Sequence, residues 1–312
     1  MKYVFVFPGQ GSQYVGMGKD LYNSYESARE IFKRADEILG FSLSNLCFSG
    51  PAEELDLTVN TQPAVLAVSL ACFALLHSHG VSPSAVAGHS LGEYSALVAA
   101  GSLSMEDALG LVRKRGRYMQ EAVPAGRGGM YAVLGLSAGA VTEVCSLASA
   151  SGVVEAVNLN CPGQVVIAGE NDALEQAKSL AIKAGAKRCL KLPVSAPFHS
   201  SLMKPAGMRL ASDLSGVKLT DPAVPLVANV SADFVRTASG VRDALVQQIF
   251  SPVRWEESIR RLVESGFEAY IEVGPGRVLG GLVRKIHPAA TVLNIEDGSS
   301  LEKVLAHVGE VG

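Results

Sequence analysis

No two cysteines in this chain are spaced as CxxC, and the five present (Cys47, Cys72, Cys145, Cys161 and Cys189) are odd in number and widely scattered. That spacing excludes a disulfide framework and a cysteine-ligated zinc site, so all five read as reduced, small apolar side chains. An excess of either charge is also lacking: 27 Lys and Arg stand against 30 Asp and Glu, a formal net charge of −3. Nothing therefore points to nucleic acid, although net charge leaves local patches open. No stretch approaches the roughly 18 apolar residues of a membrane span. The apolar start at residues 3–7 is too short for a signal peptide before Pro8-Gly9 interrupts it. Around Gly9-Gln10-Gly11 neither GxGxxG nor a P-loop pattern occurs, which argues against nucleotide binding there. Repeats and low-complexity tracts are absent. The expectation is a cytoplasmic protein that uses no metal and no cofactor.

What is present is a chain of 312 residues, 48% hydrophobic and 18% charged. That is enough for a large core and two structural units. Residues 3–7 form a continuous apolar run, as in a strand buried on both faces. Thr61-Gln62-Pro63 reads as a helix start leading into residues 64–77. Residues 85–87 are a strand candidate, 90–100 a helix ending at Gly101, and Ser104-Met105-Glu106-Asp107 opens a further helix as a capping box. This alternation predicts a parallel sheet covered on both sides. Between 125 and 197 the order becomes strand, helix, two strands, helix, strand, which is that of a ferredoxin-like module. The expected organisation is a large α/β domain from 1–124 and 198–312, interrupted by a small domain at 125–197. Strands at 225–230, 268–273 and 291–295, with a helix at 278–286, complete the larger part. Gly274-Pro275-Gly276 reads as a strand-to-helix turn.

Gly88-His89-Ser90-Leu91-Gly92 falls between a strand and a helix, the setting of a nucleophile elbow. There the first amides of the helix face any oxyanion formed on a substrate. A serine nucleophile needs a base. His77 and His79 sit at a helix end, His89 adjoins the serine and points poorly for the task, and His307 lies in a polar terminal helix. His199 and His287 remain. The hydrolase order of Ser, acid, His favours the later one, while the proline-punctuated loop around Pro197-Phe198-His199-Ser200 favours the former. On the helix after Ser104, Arg115 shares the apolar stripe of Ala108, Leu111, Val112, Met119 and Ala122. A guanidinium directed inward requires an anion, either a structural carboxylate or a carboxylate on the substrate.

Phe7-Pro8-Gly9-Gln10-Gly11-Ser12-Gln13, the Ser90 elbow, Arg115, Pro197-Phe198-His199-Ser200 and Val273-Gly274-Pro275-Gly276 occur here in one order. Together they resemble the malonyl-CoA:acyl carrier protein transacylases of bacterial type II fatty acid synthesis, from about residue 3 to residue 295. Acyltransferase domains of polyketide synthases belong to the same group. The resemblance implies an α/β-hydrolase-like large domain and a malonyl group carried on Ser90, passed from malonyl-CoA to the phosphopantetheine thiol of acyl carrier protein. It implies that His199 is the base, that the amides of Gln10 and Leu91 form the oxyanion hole, and that Arg115 holds the malonyl carboxylate. A main-chain carbonyl at Gln248 would orient the histidine in place of an acid. Phe198 and Leu91 resemble members selective for malonyl over methylmalonyl groups. An acidic carrier protein would meet Lys183, Lys187, Arg188 and Lys191, and the chain is expected to act as a monomer. The alternatives are a thioesterase or esterase sharing the acyl-enzyme step, a polyketide-associated acyltransferase, or a non-catalytic carrier-binding subunit.

Overall fold

The computed structural model describes residues 2–124, 126–194 and 196–311. Residue 125, where the inserted unit is expected to begin, lies outside the described residues. One sheet has six strands in the order β10-β9-β1-β2-β7-β8. They are Thr291–Ile295, Ala269–Val273, Tyr3–Phe7, Ala85–Gly88, Leu226–Val227 and Phe234–Val235. The first five are parallel and β8 is antiparallel to β7. The second sheet has the order β4-β5-β3-β6, from Val154–Cys161, Gln164–Glu170, Gly128–Leu134 and Arg188–Lys191, and is antiparallel throughout. Helices Ala138–Ala148 and Asn171–Lys183 complete its strand–helix–strand–strand–helix–strand order.

The apolar run of β1 is explained by its two faces. Tyr3, Phe5 and Phe7 pack into one core with the helices Thr58–Ser78 and Met105–Glu121. Val4 and Val6 pack into another with Trp255, Ile259, Leu279 and Val283. A strand covered on both sides has no polar face to show in its sequence. The small sheet and its two helices enclose a third core around Val133, Val141, Ile167 and Leu174. Strand β4 touches the large unit where Leu159 N–H donates to Val253 O at 2.9 Å and Val253 N–H to Val157 O at 2.8 Å.

The helix Thr58–Ser78 corrects two expectations. It begins three residues before Thr61, whose hydroxyl donates back to Leu55 O (2.6 Å) instead of capping a start. Pro63 therefore lies inside the helix and gives the Val59 carbonyl no partner, because proline has no N–H. The same 21-residue helix is long and apolar enough to cross a membrane by length and composition, contrary to the expectation that no stretch approached that limit. Burial in the largest core accounts for it, since a helix covered on nearly all sides is apolar all round. Two further bounds differ from expectation. The strand predicted at 225–230 ends at Val227, because residues 228–232 turn sharply, with Ala232 N–H donating to Ala228 O at 2.9 Å. The helix predicted from Ser90 starts at Gly92, for a reason that belongs to the site.

Candidate active site

Strand β2 delivers the chain to Ser90 in a left-handed conformation, with φ of 52°. A serine there is strained, which is why the helix Gly92–Ala99 begins two residues later. The flanking glycines are required by contact. A Cβ on Gly88 would lie 1.9 Å from the Gly92 carbonyl carbon, and one on Gly92 would lie 2.0 Å from Phe7 O. The side chain of Asn229 ties the turn together, accepting from Ser90 N–H (2.7 Å) and donating to Gly88 O (2.6 Å).

His199 is the histidine brought to this serine. Its Nε2 lies 2.8 Å from Ser90 Oγ, across 109 residues of sequence. Its Nδ1 lies 2.7 Å from the main-chain O of Gln248. A carbonyl can only accept, so Nδ1 carries the proton and Nε2 is free to accept from the serine hydroxyl. Gln248 ends the helix Ala238–Gln248, where last-turn carbonyls lack helical partners and the dipole is negative. That arrangement supplies the orientation an aspartate would give. Burial pushes the imidazole pKa down to about 3, with the Arg115 charge adding to the effect and the Gln248 carbonyl opposing it. His199 is therefore neutral at pH 7. His89 instead turns to Asn160 Oδ1 (2.8 Å), and its ring packs 5.5 Å from that of Trp255. His287 caps the end of the helix Val278–Ile286 and does not line the site.

Arg115 is 1% exposed. Its terminal nitrogens donate to Gln62 Oε1 (2.9 Å), Gln248 Oε1 (2.8 Å) and Ser90 Oγ (3.0 Å), all neutral acceptors. Its Nε is buried without a partner, and among the described residues no carboxylate forms an ion pair with it. Burial lowers its pKa, opposed by the nearby Tyr94 and Glu93. A buried guanidinium without an anion is costly unless something supplies one.

These groups line a cavity of about 100 Å³ together with Gln10, Leu91, Met119, Met130 and Phe198. Among the described residues, the amides of Gln10 and Leu91 have no hydrogen-bond acceptor. A larger cavity of about 280 Å³, lined by Gly9, Gln10, Asn158, Asn160, Leu192 and Leu279, shares Gln10, His89, Asn158 and Leu192 with the first and takes its walls from both units. The four basic residues do not form one face. Arg188 pairs with Leu134 on edge strand β6, whereas Lys191 pairs with Tyr131 on the alternate side, near Glu175 of the helix Asn171–Lys183. Lys183 ends that helix, and all four are exposed.

Gln62, Glu93 and Asn229 receive no functional role from the sequence. All three are buried polar residues, and their partners lie far along the chain, so nothing local marks them. Burial raises Glu93 to about 7, with Asn229 N–H, the Gln248 amide and the Arg115 charge pulling the other way.

Residues 4–297 match the acyl transferase domain family. The chain is 48% identical to the malonyl CoA-acyl carrier protein transacylase of Bacillus subtilis (strain 168), covering 99% of this chain and 98% of that protein. It superposes with a TM-score of 0.96 on an acyl-carrier-protein S-malonyltransferase from Burkholderia pseudomallei, at 48% identity over 98% of this chain and 100% of the other. The same score relates it to a malonyl-transacylase solved in complex with a type II PKS acyl-carrier protein, at 44% identity over 98% of this chain and 100% of that one.

Proposed function

Because the chain belongs to the acyl transferase family, we propose that it moves a malonyl group from malonyl-CoA to the phosphopantetheine thiol of an acyl carrier protein through an ester on Ser90. One observation carries this reading. A buried guanidinium without a carboxylate partner among the described residues lies 3.0 Å from the hydroxyl of a serine that an imidazole also contacts. The acyl group that fits both is short and ends in a carboxylate.

In the first half-reaction Nε2 of His199 takes the Ser90 proton as Oγ attacks the thioester carbon. The amides of Gln10 and Leu91 stabilise the tetrahedral oxyanion. Its collapse breaks the C–S bond and expels coenzyme A, whose thiolate takes the proton from the imidazolium. In the second half-reaction His199 takes the proton of the carrier thiol, the sulfur attacks the malonyl-serine ester, and Ser90 leaves and recovers its proton. The Gln248 carbonyl holds the ring and stabilises the transient cation. Arg115 pairs with the malonyl carboxylate, and Phe198 and Leu91 narrow the cavity against branched acyl groups.

On the same footing we read the larger unit, 1–124 and 198–312, as α/β-hydrolase-like and the insert at 125–197 as ferredoxin-like. The parallel sheet with its elbow supports the first reading, and the antiparallel strand order β4-β5-β3-β6 supports the second. Arg188 leads the four basic residues as a candidate contact for an acidic carrier protein, since its strand runs on to Leu192 at the cleft.

Intact-mass measurement after mixing with malonyl-CoA tests the reading. The wild type should gain one malonyl group and pass it to carrier protein, and Ser90→Ala should gain none. A wild type that stays unmodified, or a modified Ser90→Ala, overturns the proposal. Free malonate released in the presence of carrier protein assigns a hydrolase instead.

A further inference from the structure

Glu93 lies one turn beyond the nucleophile, is 1% exposed, and touches none of the reacting atoms. Its Oε2 accepts from Gln248 Nε2 (3.0 Å) and from the main-chain N–H of Asn229 (2.9 Å). Those two residues hold the whole site. Asn229 clamps both ends of the elbow through Gly88 O and Ser90 N–H. Gln248 orients His199 with its main chain, and its side-chain Oε1 accepts from Arg115. Its Nε2 donates to Ser90 O (2.9 Å) as well as to Glu93.

The Gln248 amide can adopt only one orientation in this setting. Arg115 has donors and no acceptor, so it must face Oε1; the carboxylate and the Ser90 carbonyl accept, so they must face Nε2. Turned over, the NH₂ group would face the guanidinium and leave Glu93 and Ser90 O without their donor. A carboxylate on one side and a guanidinium on the other thus lock this side chain, and with it the end of the helix whose carbonyl holds the base.

We propose that Glu93 is a positioning residue for acyl transfer: by accepting from Gln248 and Asn229 through one oxygen, it fixes base, nucleophile and Arg115 relative to one another. The inference rests on Ser90 being the acylated residue. Its energetic basis is that buried hydrogen-bond networks hold geometry only when every member is satisfied, and that small misplacements of reacting groups are expensive.

Single-turnover acylation by malonyl-CoA, followed by intact mass, gives the maximal rate and the half-saturating concentration separately. Glu93→Met keeps length and volume but removes the acceptor. It should lower the maximal rate roughly ten- to a hundredfold while moving half-saturation far less. Glu93→Gln, which keeps one acceptor oxygen, should recover most of the loss. On a Gln248→Ala background, where the main-chain carbonyl that holds His199 remains, Glu93→Met should cost less than it does alone, because only its Asn229 link is left to break. Melting temperatures measured on every variant separate folding from function, and Glu93→Ala takes the place of Glu93→Met in the cycle if the latter does not fold. An unchanged rate in the acceptor-less variant, no recovery in Glu93→Gln, or fully additive losses with Gln248→Ala overturns the proposal. If the wild type itself takes up no acyl group, the reading of Ser90 has failed and this inference falls with it.

Discussion

Replacing Arg115 by alanine separates recognition of the substrate carboxylate from chemistry. A bidentate guanidinium–carboxylate pair contains two charge-assisted hydrogen bonds of about 1.5–3 kcal/mol each. Two such bonds are worth about 3–6 kcal/mol. They are not formed from nothing, because Arg115 already donates to Gln62, Gln248 and Ser90 and must give up some of those contacts when a carboxylate enters. The lower bound is therefore the better figure, about 3 kcal/mol, or roughly a hundredfold in the specificity constant at 1.36 kcal/mol per decade. An acetyl group has no carboxylate to lose. Its transfer should stay within about threefold of wild type or rise, since the empty-handed guanidinium no longer competes for Ser90 Oγ. Single-turnover acylation with malonyl-CoA and acetyl-CoA, wild type against Arg115→Ala, gives both numbers. Equal losses for the two acyl groups would mean that Arg115 supports the serine or the fold, not the carboxylate, and the argument would be refuted.

Four further outcomes follow from the same geometry. Because His199 is held down to about 3, acylation by malonyl-CoA should not halve near pH 6.5, where a free imidazole gains its proton; a midpoint there would refute its assignment as the buried base. In stability, the unfolded chain takes up a proton at position 199 below about 6.5 that the folded chain refuses until about 3. The contribution is thus complete above 6.5 and lost as pH falls toward 3, so urea midpoints of wild type should drop relative to His199→Gln across that window. Gly92→Ala places a Cβ 2.0 Å from Phe7 O and should cost about 3 kcal/mol or more; a wild-type urea midpoint would show that the backbone can move aside. Charge reversal at Arg188, on the cleft side of β6, should raise the half-saturating concentration of carrier protein more than reversal at Lys191 on the other side, and equal effects would remove Arg188 from the docking surface.

The corrections to the sequence reading share a cause. Thr61-Gln62-Pro63 has the composition of a helix start, yet the chain is already helical from Thr58 and the Thr61 hydroxyl donates back to Leu55 O and Leu57 O. The same helix passes for a membrane span because only packing reveals that protein, not lipid, covers it. The four basic residues look like one cluster in sequence, and alternation along β6 sends Arg188 and Lys191 to opposite faces. His199 and His287 were indistinguishable as bases from local features, and the separation was decided by which loop reaches Ser90.

Local chemistry alone determined a good deal. The elbow glycines, the Ser104 cap that accepts from Asp107 N–H at 3.0 Å, the helix Val278–Ile286 and strand β10 were legible because each depends on neighbours a few residues away. So was the inward direction of Arg115, which is set by helical period. The site's assembly was not legible, because its bonds join Ser90 to His199, Arg115 to Gln62, and Glu93 to Asn229 and Gln248 across 53 to 155 residues. Such pairings leave no periodicity in the chain. Burial selects them, since a polar group taken out of water must find its partner wherever the fold brings one.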